Sequence, residues 1–407
     1  MSESALFRSF WLAGFESACH INGRGSRLDL VCATQHDRQA REDYARVREL
    51  GFFGVRESAR WHLIDRGRRL DFSTVLPVLD AARAERIQVL WTLCHYGWPD
   101  DVSLFSVAFV ERFARYCAAL ARVVSDQGEE VPFYTPINEI SFFAWAAGEK
   151  GKMHPYRTGI GGELKRQLVR AAIAGMEAIR EVDPRARFIH VDPLIHVVTP
   201  RGRPDLARAA ADQRASQFDA WDMLVGGLHP EIGGHPRYLD IIGVNYYHAN
   251  QWEHPDRRLR WEDTPRDPRW VPLRFLLNEV YIRYERPMLI SETSHFGAGR
   301  SRWIREVATE SAAARAMGVP LEGLCVYPII DRPDWEDPEH WHNSGLWDLR
   351  PGPDGRLERV PCKEYIAELR DVQETWRDRR PVPAGSLRGH QPAVTSVSMP
   401  RPDRRAE

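Results

Sequence analysis

Short apolar runs alternate along the chain with longer stretches whose apolar side chains recur every three or four positions. The runs cover residues 9–18, 51–58 (GFFGVRES), 87–94 (IQVLWTLC), 131–137 (VPFYTPI), 187–191 (RFIHV), 239–245 (LDIIGVN), 287–291 (PMLIS) and 324–330 (LCVYPII). Between them, Tyr44, Val47 and Leu50 share a face of a helix predicted over 38–50. Phe109, Phe113, Tyr116, Leu120 and Val123 mark a second helix. A third is expected over 164–181 and ends at Asp183-Pro184, because the residue before proline avoids helical geometry. The segment 200–214, rich in Arg and Ala, reads as an excursion over the rim or an exposed helix.

The eight runs are near-continuous rather than alternating, as expected of strands buried on both faces of a parallel sheet. Eight such strands separated by helices predict an α/β protein, a single (β/α)8 TIM barrel over residues 1–380, with functional groups at the C-terminal strand ends. The segment 381–407 is rich in Pro, Arg, Ser and Gly, and is expected to be a disordered tail. An open, doubly wound sheet is the rival architecture. Its glycine-rich phosphate turn has only Gly23-Arg24-Gly25 as a counterpart, without a third glycine.

The net charge of -1 gives no basic excess for nucleic acid. No apolar run is long enough to span a bilayer, and no basic, then apolar leader opens the chain. The six cysteines form no CxxC pair and are expected to be free thiols in a cytoplasmic protein. Trp61, Trp91, Trp98, Trp145, Trp252, Trp335, Trp341 and Trp347 lie near strand ends, where they serve either as core or as stacking platforms for sugar rings.

Two of the runs end in a glutamate. Glu139 follows 131–137 within TPINEIS, and Glu292 follows 287–291 within LISET. Two carboxylates brought to one barrel mouth are what glycosidic cleavage requires: one protonates the leaving oxygen, the other attacks or activates water.

The motif order resembles glycoside hydrolase family 1, the β-glucosidase-like retaining hydrolases, over roughly residues 7–350. Arg56 in VRESARW matches the arginine after the second strand, and TLCHYGWP, with His95 and Tyr96, matches TLYHWDLP. TPINEI matches TFNEP, and LDIIGVNYY matches the sixth strand. ISET stands for ITENG, and VYPIIDRPDW for WSLLDNFEW. The resemblance implies Glu139 as acid/base, Glu292 as nucleophile, Asn138 on the sugar 2-hydroxyl and Tyr247 orienting Glu292. It also implies Tyr327, Asp334 and Trp335 around the first sugar, with no cofactor and no metal. His20 replaces a glutamine, Tyr96 and Tyr327 replace tryptophans, Asp334 replaces a glutamate and Ile140 replaces a proline. The shell around the sugar is therefore altered more than the catalytic pair. The implied substrate is a small-molecule glycoside or oligosaccharide.

Transglycosylation through the same intermediate and a catalytically silent sugar-binding barrel are alternatives. A metal-dependent barrel hydrolase would use the scattered histidines. Such barrels place an HxH pair after the first strand, whereas His340-Trp341-His342 lies beyond the eighth.

Overall fold

The computed structural model describes residues 6–127 and 131–378. The tail expected over 381–407 lies outside them. Eight parallel strands close into a barrel: β1 (Trp11–Gly14), β2 (Gly54–Ser58), β3 (Gln88–Cys94), β4 (Phe133–Ile137), β5 (Arg187–Pro193), β6 (Ile241–Asn245), β7 (Met288–Thr293) and β8 (Leu321–Val326). β1 pairs with both β2 and β8, which removes any sheet edge. Each predicted run contains a strand or overlaps one. Strand β8 begins earlier than its run, because Glu322 and Gly323 break the apolar pattern that was read.

Helices pack outside the barrel between successive strands. They include His36–Glu49, Val107–Ser125, Gly161–Val182 and Gly299–Ala316. The segment expected to leave the rim holds the largely exposed helix Ala207–Ala215. Two small additions had no sequence signal: the hairpin Trp347–Pro351 with Leu357–Pro361, and a three-stranded sheet of His196–Val198, Gln251–Glu253 and Arg257–Arg258.

Leu12, Leu90, Phe133, Ile189, Ile241, Leu289 and Cys325 fill the barrel interior as one apolar cluster, with Phe7 and Tyr327 joined to it. A Cβ at Gly14 would lie 2.2 Å from the Tyr327 ring, so only glycine lets that ring rest on the end of β1.

Successive strand side chains point to opposite faces. Arg56 therefore points into the barrel while its neighbour Glu57 points outward. Outside, Glu57 accepts from the Tyr44 hydroxyl (2.7 Å) and pairs with His36 Nε2 (2.8 Å). His36 Nδ1 meets Asp43 (2.9 Å), which also holds Arg359 in a two-pronged pair at 2.8 Å. This buried network clamps the back of the strand that presents Arg56.

Burial opposes charge on His36, but Glu57 and Asp43 prevail and push its pKa up to about 9. A folded-state value above the unfolded one gives stability that is complete below about pH 6.5 and fades as pH rises through about 9. His36→Gln should therefore lower unfolding free energy by on the order of 3 kcal/mol at pH 6 and by clearly less at pH 10, measured by chemical denaturation.

Candidate active site

Arg56 lies at the centre of the barrel mouth. Its Nη1 donates to Glu292 Oε1 at 2.5 Å and its Nη2 to Asn138 Oδ1 at 2.5 Å. The guanidinium thus ties the residue before Glu139 to Glu292 across the barrel. Tyr247 donates its hydroxyl to the other oxygen of Glu292 at 2.7 Å. Register shifts around Ile290 against both neighbouring strands mark an irregularity in β7, and Glu292 follows it. Such bulges re-aim side chains at barrel rims.

Glu139 is held differently. The Tyr96 hydroxyl donates to its Oε2, and Asn245 Nδ2 donates to its Oε1 at 2.8 Å. Ser291 fixes Asn245 in turn (2.7 Å). Asn138 Nδ2 donates to the Tyr96 oxygen and to His95 Nε2, each at 3.0 Å. His95 is then protonated on Nδ1 and donates to Ser17 Oγ (2.9 Å). Glu139 and Tyr96 both adopt left-handed backbone, with φ of 44° and 65°. Strained conformations of this kind in non-glycine residues concentrate at functional sites.

The two carboxyls differ in charge environment. Burial pushes Glu139 up to about 8, the nearby Glu292 adds to the effect, and the bonds from Tyr96 and Asn245 only partly offset it. Burial also raises Glu292, but Arg56 and Tyr247 pull it back. Among the described residues no cation pairs with Glu139. A single proton shared by the two groups therefore rests on Glu139. Burial lowers His95 well below the ordinary histidine range, with Arg56 adding to it, so that ring is neutral.

His95, Tyr96, Glu139, Tyr247, Glu292, Tyr327 and Trp335 all line one cavity of about 810 Å³. Arg56 and Asn138 lie behind this lining and are bonded to it. His20 is buried between the rings of Tyr96 (5.9 Å) and Trp335 (4.8 Å), with Nδ1 unpartnered. Asp334 does not line the cavity. Its carboxylate accepts from the backbone of Glu336 (2.8 Å) and Asp337 (3.1 Å) and meets His342 Nε2 at 3.0 Å.

Of the tryptophans noted in the sequence, Trp145, Trp252 and Trp335 line the cavity, while Trp61, Trp91 and Trp98 are core. Asn245, Glu16 and Arg332 escaped the sequence reading as site residues. Glu16 accepts from the backbone of Ser17 and Ala18 (3.0 Å each) and from the Tyr327 hydroxyl (3.2 Å), and its other oxygen lies 3.2 Å from Arg332 Nε. Both Glu16 and Arg332 line the cavity. Glu16 lies in the first apolar run and Arg332 within VYPIIDRPDW, but neither position was marked as functional by the pattern of its segment. His248, Glu262 and His295 form one group whose ligating atoms lie within 4.8 Å of one another. Arg258 Nη2 stands 3.6 Å from that Glu262 carboxylate, a charge that disfavours a cation there. All six cysteines are free thiols.

Among solved structures, the chain resembles the family 1 β-glucosidase from Thermotoga maritima. The TM-score is 0.74 at 16% identity, over 89% of this chain and 97% of that one. The barrel is shared with family 1 β-glucosidases. The same Thermotoga maritima enzyme in complex with deoxynojirimycin gives a TM-score of 0.72 at 16% identity, with the same coverage. The AHE enzyme from Alicyclobacillus herbarius gives 0.69 at 17% identity, over 84% of this chain and 87% of that one. No protein-family model matches the chain, and no curated protein matches its sequence.

Tyr96→Phe removes a hydrogen bond that favours the charged form of Glu139. The Glu139 titration should move upward from about 8 by about one unit, the equivalent of one hydrogen bond to a charged group. Infrared difference titration of the carboxyl band reads this directly.

Proposed function

We propose that the protein is a retaining β-glycosidase in which Glu139 is the acid/base and Glu292 the nucleophile. The observation that carries this reading is the asymmetry of two buried glutamates in one cavity: Glu292 is ion-paired to Arg56 and bonded by Tyr247, while Glu139 holds a proton near neutral pH. The shared fold supports the same reading. So do the solved structures of the Thermotoga maritima β-glucosidase in complex with deoxynojirimycin, castanospermine or glucoimidazole.

In the first step Glu292 attacks the anomeric carbon. The bond from that carbon to the leaving oxygen breaks, its electrons go to the oxygen, and the oxygen takes the Glu139 proton. Tyr96 and Asn245 stabilise the carboxylate left on Glu139. Forming the glycosyl ester removes the negative charge of Glu292, and with it part of what raised Glu139. Glu139 is then ionised and takes a proton from water, which displaces Glu292 and restores the starting state. Deglycosylation by water makes the net reaction hydrolysis with retained configuration.

Glu292→Ala should abolish turnover of aryl β-glycosides with secondary structure unchanged, at some cost in unfolding free energy because Arg56 loses its charged partner. Glu139→Ala should slow cleavage most for poor leaving groups, because a good one departs without protonation. Wild-type rates in both variants would refute the assignment. A screen of aryl glycosides differing in sugar, with mass-spectrometric trapping of a 2-fluoro-glycosyl adduct on Glu292, tests the covalent step.

The pH profile of kcat/KM should be bell-shaped, its alkaline limb near 8 set by loss of the Glu139 proton. Glu292→Gln removes the neighbouring negative charge, so Glu139 should titrate below that value by infrared. An unchanged Glu139 titration would show that the two carboxyls do not interact.

A further inference from the structure

The cavity does not end at the catalytic pair. It continues past Glu139 over the segments that follow β4, β5 and β6, and its 810 Å³ exceeds the needs of one sugar ring. Ala144, Pro193, Ile195, Met223, Leu228 and Trp252 line this arm.

Its uncharged amide and hydroxyl side chains are bonded to protein, whereas, among the described residues, Arg166 and Asp256 of its lining have no bonded partner. Gln213 donates to Pro255 O (3.1 Å) and meets His254 through its oxygen (2.7 Å). Gln217 accepts from Ile195 N (2.9 Å) and donates to Arg214 O (2.7 Å). Asn250 donates to Leu194 O (2.9 Å) and Asn245 O (3.1 Å). Ser141 donates to Asp192 (3.1 Å), and Lys165 bonds Ser216 O (3.1 Å) and Asp219 (2.9 Å). Trp252 Nε1 and His248 Nδ1 are buried without partners, enough for one or two polar atoms. Arg166, Asp256 and Arg258 stand among the lining residues that are at least partly exposed.

We propose that this arm takes an apolar aglycone, an alkyl or aromatic group with at most one or two polar atoms, rather than a second sugar. A sugar there would give up water at several hydroxyls and find few partners, and each unpaired group costs about 1–3 kcal/mol. An apolar group gains by leaving water against the walls of Ile195, Met223 and Leu228. The proposal rests on the β-glycosidase reading for its turnover arm alone.

Two measurements test it. The first needs no catalysis. The neutral fluorophore N-phenyl-1-naphthylamine should bind the wild-type protein saturably. Its affinity should fall at least fivefold in the variant Ile195→Asn/Leu228→Asn, whose folding is checked by circular dichroism and thermal melting. Both side chains are partly exposed, so the variant should fold. Absence of binding, or equal affinity in the folded variant, would overturn the proposal.

The second uses n-alkyl β-glycosides, methyl to octyl, of the sugar that the aryl-glycoside screen selects. Their leaving groups are nearly equal in basicity, so the series reads burial. The ratio kcat/KM should rise at least tenfold along it, and the corresponding β-1,4-disaccharide should be cleaved more slowly than the octyl glycoside. A flat series, or a preferred disaccharide, would overturn the apolar arm and leave the catalytic assignment standing. Failure of every glycoside together with absence of the Glu292 adduct would instead overturn the catalytic reading, and fluorophore binding would still decide the arm.

Discussion

One buried guanidinium organises the barrel mouth. Arg56 has no charged partner other than Glu292 among the described residues, and its second prong reaches Asn138. A buried cation without an anion is costly, and a buried carboxylate without a cation equally so. Each therefore fixes the other. Because the two lie on β2 and β7, the pair also sets how these opposed strands present their ends. Asn138, held by the same guanidinium, carries Tyr96 and His95 with it, and Tyr96 reaches Glu139. A chain of hydrogen bonds thus runs from one carboxyl to the other through a single charge.

The charges around this chain are balanced in pairs. Glu16 adds an anion close enough to raise the pKa of Glu292, and Arg332 answers it at 3.2 Å. Glu292 is answered by Arg56. Glu139 alone has no cation, so burial acts on it unopposed except by two neutral donors. Tyrosine at position 96 does what a tryptophan there could not, because an indole has no oxygen to accept from Asn138 while donating to the carboxylate. Position 96 therefore acts on the proton affinity of Glu139 through its hydroxyl. Asp334 shows the opposite outcome, since its shorter side chain is taken up by local turn amides and by His342.

The barrel was legible because strands buried on both faces must be apolar throughout, and eight such runs are hard to produce otherwise. The strand-end glutamates were legible for a related reason: a carboxylate closing an apolar run stands out. Pairing partners were harder to read. Glu16 and Arg332 are 316 positions apart by number, and nothing local in either segment announces the other. Asn245 stood within a recognised run, yet its bond to Glu139 depends on the register of β6 across β5 to β4, which periodicity does not give. The fate of Asp334 depended on His342, eight residues on in a segment without regular pattern.

The proposed division between the two ends of the cavity rests on which polar side chains are already bonded to protein and on where the aliphatic wall lies. Beside the two glutamates, Trp335 Nε1 on the cavity lining and His20 Nδ1 behind it are buried without partners, and buried polar groups left in this state await a ligand or a water. Both flank Tyr96, where a sugar ring held against Glu292 would present its hydroxyls. Past Glu139 two atoms, Trp252 Nε1 and His248 Nδ1, are likewise unpartnered, but the amides of Gln213, Gln217 and Asn250 turn back onto protein carbonyls, and Ala144, Pro193, Ile195, Met223, Leu228 and Trp252 give the arm an aliphatic and aromatic wall beside its charged residues. A site that binds polar groups on one side of the cleaved bond and apolar ones on the other discriminates most strongly where partners are fixed and unpaired. Replacing a hydroxyl at the sugar end should thus cost more than lengthening the group at the other end gains, because an unsatisfied buried donor forfeits more than one methylene contributes.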